Sequence, residues 1–392
     1  MCGSIGYIDV DNVWPDQVRP PAGARSPSAP GKDGYEHFML KEIYEQPEAL
    51  GETLGEWVED LGSLVDTLGI ADCVTSLRRL HIVACGSSYH AGLIGRYIIE
   101  KFVHIPVCVD MASEFRHMAP ILTKGTLLVT ITQSGETVDA LAAQRSAQAK
   151  GIQSFAICNA VGSTAAREAD SVLYTRAGRE VGIAATKTFT AQIAALCLVG
   201  IALGVYRRKL PEVELQTLKS FLAVLPALIR KVLGKDEEIR EIAAGLAHSR
   251  GILYLGEGIN YPVALEGALK MKEVAYIHAV AYPAGEMKYG PLALVESGTP
   301  TVVLAPMDSL DYGILSTMEK VKARGGRIIA VTDAPAALQD VADVVVAVPA
   351  THPAFIPFVS TVPLQLLAYH VAVLKGHDID RPRNLLKSVI SD

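Results

Sequence analysis

Two short stretches of this chain crowd hydroxyl side chains into turns, Cys85-Gly86-Ser87-Ser88-Tyr89 and Thr132-Gln133-Ser134-Gly135-Glu136-Thr137. Each follows a continuous apolar run of strand length, 80–85 (LHIVAC) and 127–132 (LLVTIT), and each precedes a helical pattern. A phosphate dianion needs many short donors converging without bulk. Ser and Thr hydroxyls, glycine-freed amides and the positive end of a helix supply that. Either turn alone reads equally well as ordinary helix capping, whereas two together favour an anion site. Neither turn holds Lys or Arg, which predicts binding by dipoles and hydroxyls rather than by point charge. Neither matches GxxxxGK[ST] or GxGxxG, so ATP and NAD are poor candidates.

The elements that must present these turns are legible in outline. Further strand-length runs occur at 154–158 (SFAIC) and 171–174, with helical patterns over 87–102 and 137–150 between them. Continuous apolar runs joined by helices indicate a parallel sheet covered on both faces. After a long helix predicted over 212–248 the pattern repeats. The run 251–255 (GILYL) with its turn Gly256-Glu257-Gly258, then 301–306, a helix to 323 and 325–331 (GGRIIAV), echo the first half. The chain therefore reads as α/β, with two doubly wound parallel-sheet domains in tandem at 35–240 and 241–375. Helices over 38–49 and 50–68 open the first, a helix over 358–375 ends the second, and a tail follows at 376–392. Residues 11–34, rich in Pro, Gly, Ser and Ala, read as a linker too poor in apolar groups to offset its ordering entropy.

Composition narrows the function classes. The 392 residues are 50% hydrophobic and 20% charged, enough for large cores, and the net charge of −6 argues against a nucleic-acid binder. The six cysteines form no CxxC pair and none lies beyond Cys197, as expected of reduced thiols in a cytoplasmic protein. No signal-peptide pattern is read at the start. The stretch 191–206 (AQIAALCLVGIALGVY) falls short of the roughly 20 residues a bilayer needs, and basic residues bracket it closely. It is predicted to be a fully buried helix, in the core or at a subunit interface, so no membrane partner is expected.

The turns belong to a wider set of motifs. CGSSYHAG (85–92), TQSGETVDAL (132–141) and EVGIAATKTFT (180–190) occur with KEIYEQPEAL (41–50), ALEGALKMKEVAYIHA (264–279), GPLAL (290–294), TVPLQLLAYHVA (361–372) and DRPRNLLKSV (380–389). On these the chain, from residue 35 onward, resembles the isomerase half of the glutamine–fructose-6-phosphate aminotransferase family, with two flavodoxin-like sugar-isomerase (SIS) domains. The resemblance implies conversion of fructose 6-phosphate to glucosamine 6-phosphate without metal or organic cofactor. It implies that Ser87, Ser88, Thr132, Gln133, Ser134, Thr137 and Ile183 hold the sugar phosphate. It gives catalytic roles to Glu273 and Lys270, and a Schiff base to Lys387.

The residues themselves agree in part. Lys270 and Glu273, spaced i, i+3, share one helix face, and a carboxylate in a partly dry pocket suits moving a proton between C1 and C2. Without the resemblance the pair would read as a surface ion pair, and Lys387 as a solvated lysine on a tail. A lysine amine does form Schiff bases with carbonyl substrates, and a tail closing over the site would be mobile.

Two departures stand out. Position 289 is Tyr where the family has a histidine that serves the neighbouring subunit's site and opens the sugar ring. That implies a homodimer, and tyrosine is a poor base at neutral pH. Met1-Cys2-Gly3-Ser4-Ile5-Gly6-Tyr7-Ile8 resembles the family's opening glutaminase strand, but about thirty residues leave no room for that domain. Cys2 is thus expected to be an inactive remnant, with ammonia free or supplied by a separate glutaminase subunit. The rival expectations are a glucosamine-6-phosphate deaminase or fructosamine-phosphate deglycase, an isomerase without net amination, and a non-catalytic sugar-phosphate sensor.

Overall fold

The structure, a computed structural model, describes residues 31–388. Cys2, most of the expected linker and the last four residues lie outside this range. Four helices come first: α1 Phe38–Tyr44, α2 Gln46–Leu54, α3 Leu64–Thr67 and α4 Ala71–Ser76. The first sheet takes β1 Arg79–Ala84, β2 Val107–Met111, β3 Thr126–Thr132, β4 Gln153–Cys158 and β5 Ser171–Tyr174. Between them run α5 Gly86–Val103, α6 Ala112–Met118, α7 Val138–Gln148 and α8 Thr164–Glu168, and α9 Lys187–Tyr206 follows. After α10 Glu212–Leu233 and α11 Asp236–Ala244, the second sheet takes β6 Gly251–Gly256, β7 His278–Pro283, β8 Pro300–Leu304, β9 Arg327–Thr332 and β10 Val344–Ala347. Its helices are α12 Asn260–Ala275, α13 Ile314–Lys322 and α14 Ile356–Leu374.

Both sheets are wholly parallel. Their orders, β2-β1-β3-β4-β5 and β10-β9-β8-β6-β7, are one order seen from opposite ends. This is the doubly wound arrangement whose connections reverse direction between the first and third strands of each unit, leaving a crevice beyond their carboxyl ends. In the first sheet that crevice lies between β1 and β3, paired in register from Arg79↔Thr126 to Ala84↔Ile131. The two hydroxyl turns leave these strands side by side.

Burial explains which strands the sequence revealed. All seven residues of β3 are buried, as are five of six in β1 and in β4, so each reads as an unbroken apolar run. The unforeseen strands, β2, β7 and β10, are edge strands with half-exposed positions. The helix expected over 212–248 is two helices parted at Gly234-Lys235. In α10 the buried residues Leu218, Leu222, Leu225, Ile229 and Val232 keep a steady 3–4 spacing, one stripe of an amphipathic helix.

The two halves share one interior. Ile82 and Val129 of the first sheet and Tyr254, Val302 and Ile329 of the second belong to a single continuous core, filled between the sheets by α5, α9, α12 and α14. Helix α9 and residues 353–374 are long and apolar enough to cross a membrane, with mean hydropathy 2.0 and 1.5, yet both are 94% buried inside the fold. Helix α9 packs on α5 and α2 of its own chain, which explains an apolar surface all round without invoking a subunit interface.

Candidate active site

The turn after β3 is an organised hydroxyl nest. Thr132 Oγ1 lies 3.0 Å from Thr137 Oγ1 and accepts from Gly135 N at 3.2 Å, while Ser134 Oγ accepts from Glu136 N at 3.2 Å. A hydroxyl that accepts from a backbone amide keeps its own proton for an incoming anion. Gly135 makes the turn possible. Its φ is +70°, and a Cβ there would sit 1.9 Å from Ser163 Oγ. The nest's one carboxylate, Glu136, is turned aside to accept from Thr164 N at 2.8 Å. Ser87 and Ser88 begin α5 alongside, half-buried like Gln133, Ser134 and Thr137.

A cation reaches this crevice after all, from the second half of the chain. Lys270 Nζ, on α12, donates to Ser87 Oγ at 3.1 Å. The expectation of a site without point charge therefore fails, because the charge arrives from 183 residues away. Lys270 is fully buried and is paired with Glu273 at 2.6 Å and Glu266 at 3.3 Å. It is a core ion cluster, not a surface pair. Burial alone would lower the Lys270 pKa, but the two carboxylates outweigh it and raise it, so this lysine is a fixed cation and not a base. Burial likewise pushes Glu266 up, yet Lys270 and His90, whose Nδ1 lies 2.8 Å from Glu266 Oε2, bring it below the usual range. Glu273 is the partly open member, its side chain 21% exposed.

The tail is fastened rather than loose along its described length. The Asp380 carboxylate accepts from Phe38 N and Met39 N, both at 3.0 Å, at the start of α1. Arg383 N donates to Tyr276 Oη at 2.8 Å, and its guanidinium stands 4.2 Å from that ring's centre. Lys387 Nζ donates to the Glu180 carboxylate and, at 2.6 Å, to Gly182 O. Ile183, next along that loop, bonds through its N–H to Asp380 O at 3.4 Å. Tyr289 stands apart. It is 71% exposed and carries Lys288 Nζ 5.0 Å above its ring.

Sequence reasoning thus found Ser87, Lys270 and Glu273, which the fold joins by direct bonds. It missed Glu266, His90, Glu180 and Glu42. Only Glu266 had a local signal, standing four residues before Lys270 on one helix face. Among the described residues no group of three His, Cys, Asp or Glu side chains gathers to hold a metal.

The SIS domain family matches residues 74–202 and 245–375. Glutamine–fructose-6-phosphate aminotransferase [isomerizing] of Chlorobaculum tepidum is 47% identical over 362 residues, covering 91% of this chain and 59% of that protein. Its counterpart in Pyrococcus horikoshii is 47% identical over 359 residues, 91% of this chain and 58% of that protein. The chain thus spans about three fifths of the length of these curated relatives. The solved C-terminal domain of glucosamine-fructose-6-phosphate aminotransferase from Francisella tularensis is 40% identical, with a TM-score of 0.86 over 90% of this chain and 100% of that one. Glucosamine-6-phosphate deaminase from Thermotoga maritima, 22% identical with a TM-score of 0.73 over 90% of this chain and 99% of that one, shares the fold.

Proposed function

The chain belongs to the SIS-domain family, and from that premise we propose that it converts fructose 6-phosphate to glucosamine 6-phosphate at the crevice between β1 and β3. The observation that carries this reading is the junction of Ser87 with the Glu266–Lys270–Glu273 cluster. It sets a partly open carboxylate and a buried cation against a nest of hydroxyl donors.

The roles follow from the chemistry of each group. Ser87, Ser88, Thr132, Gln133, Ser134 and Thr137 donate to the phosphate, with the start of α5 adding its positive end. Lys270 stays charged and offsets the dianion near Ser87. Lys387 gives up its proton and attacks the open-chain ketone at C2, expelling water to form the Schiff base. Ammonia then displaces the lysine at C2. Glu273 takes a proton from C1 and returns it at C2, while the C1 hydroxyl proton passes to the imine nitrogen, leaving an aldehyde at C1 and an amine at C2. Tyr289, exposed on its own chain, serves the ring-opening position of a partner copy in a homodimer, with Ile183 lining the sugar beside Lys387.

The test is turnover of fructose 6-phosphate with ammonium and, separately, with glutamine, product being read as glucosamine 6-phosphate. Borohydride trapping of sugar on Lys387, read by peptide mass spectrometry, is the expected companion result. Absence of both product and adduct would overturn the reading. Net consumption of glucosamine 6-phosphate under the same conditions would assign the chain to the deaminating direction.

A further inference from the structure

One buried carboxylate holds the Lys387 amine and a second holds the loop that grips it, and the chemistry above uses neither. Glu180 has a side chain with no exposure. Its oxygens accept from Thr186 N at 2.9 Å, Thr188 N at 3.2 Å and Thr188 Oγ1 at 2.7 Å, at the start of α9, besides meeting Lys387. Glu42, on α1, is 2% exposed and accepts from Val181 N and, at 3.2 Å, from Gly182 N. Glu42 and Lys387 therefore hold the two backbone polar groups of one residue, the Gly182 N–H and the Gly182 C=O. Gly182 allows this closeness, since a Cβ there would come 2.8 Å from Glu42 Oε2.

We propose that Glu42 is a positioning residue for Lys387: it fixes the 180–183 loop that grips Nζ, and losing its own proton locks the amine as an ammonium. The inference rests on Lys387 being the amine that meets the sugar carbonyl. Release of the amine is a proton transfer to Glu180. An N–H bond breaks, an O–H bond forms, and a charged pair becomes two neutral groups. With Glu42 neutral, this step leaves no charge stranded. With Glu42 ionised, it strands a buried carboxylate, which is strongly unfavourable.

The charges around Glu42 agree with that order of events. Burial first, and then the Glu180 charge, push the Glu42 carboxyl up to about 8, against the pull of Lys387 and Lys187. Lys187 is itself engaged with Glu45 at 2.7 Å. Burial also pushes Glu180 up, but Lys387 outweighs it and holds Glu180 below the usual range, so Glu180 is the resting anion and Glu42 the resting acid.

The test needs no substrate. The full chain is treated with acetic anhydride from pH 6 to 10, and acetylation of Lys387 is read by peptide mass spectrometry for wild type and Glu42→Gln. Glutamine keeps an acceptor for Val181 and Gly182 but does not titrate. Wild-type reactivity is expected to fall above pH about 8, while that of Glu42→Gln stays level and exceeds it about tenfold one pH unit higher. The kcat profile for fructose 6-phosphate should lose its high-pH limb in the same variant, with KM unchanged. Superimposable labelling curves would overturn the proposal. Should Glu42→Gln fail a thermal-melt check of folding, a wild-type curve without an inflection near pH 8 overturns it instead. Separated labelling curves without any turnover of fructose 6-phosphate would sink the functional reading and leave the positioning role standing.

Discussion

After β1 and β3 the chain lays out Ser87, Ser88 and the 132–137 hydroxyls. After β6 and β8, the strands in the same two positions of the other sheet, it lays out Glu257 and Met307. Glu257 is a half-buried carboxyl that burial pushes up, and Met307 is 61% exposed. The scaffold is the same at both crevices, so topology alone does not make a hydroxyl nest. Side chains at the turns do. The second unit contributes differently, by sending Lys270 and Glu273 of α12 into the first unit's crevice and by leading into the tail that carries Lys387.

Four experiments would break or sharpen this division of labour. The largest effect is expected from Glu273→Gln, which should lower kcat by about 10²–10⁴ with little change in KM. An unchanged kcat would mean that the second unit supplies no proton chemistry. Next, Lys270→Met leaves Glu266 and Glu273 buried without their cation. It should destabilise the fold by about 3–5 kcal/mol in urea unfolding, as expected when one partner of a buried ion cluster is removed. A loss below about 1 kcal/mol, the value of an exposed pair, would return the cluster to the surface.

Smaller effects separate the crevices directly. Thr132→Ala or Ser134→Ala should raise KM for fructose 6-phosphate by roughly 10- to 100-fold, the worth of a hydrogen bond to a charged group. Glu257→Ala at the other crevice should leave KM within about twofold, as surface changes away from a site do. Equal effects would erase the contrast. The last concerns the turn backbones. Gly135 and Gly258 both have positive φ, but only a Cβ at Gly135 overlaps a neighbour. Gly258→Ala should cost about 1–2 kcal/mol of backbone strain, and Gly135→Ala about 2–5 kcal/mol because overlap adds to strain.

How much of this was legible in the sequence follows from where each signal lives. Strands β1, β3 and β4 were readable because both faces are covered and no polar residue interrupts them for long. Edge strands β2, β7 and β10 lose that signature where they meet solvent, so VCVDM, HAVAYP and VVVA were not read as strands. The hydroxyl turns were readable because a nest of short side chains within one turn is local. Lys270 meeting Ser87 was not, since nothing in either segment announces a partner 183 residues away. Glu180 and Glu42 were invisible for the same reason. Each looks like one more acid near a helix start until folding buries it.

The single core shared by the two sheets also governs how the molecule comes apart. Across the two halves α5 packs on α12, and α1 and α10 pack on α14, so neither half has a finished outer surface without the other. Separating them would bare apolar helices such as α14 to water. Heating should therefore give one calorimetric transition whose van't Hoff and calorimetric enthalpies agree. A chain cut between α10 and α11 is expected to yield two insoluble pieces rather than two working domains.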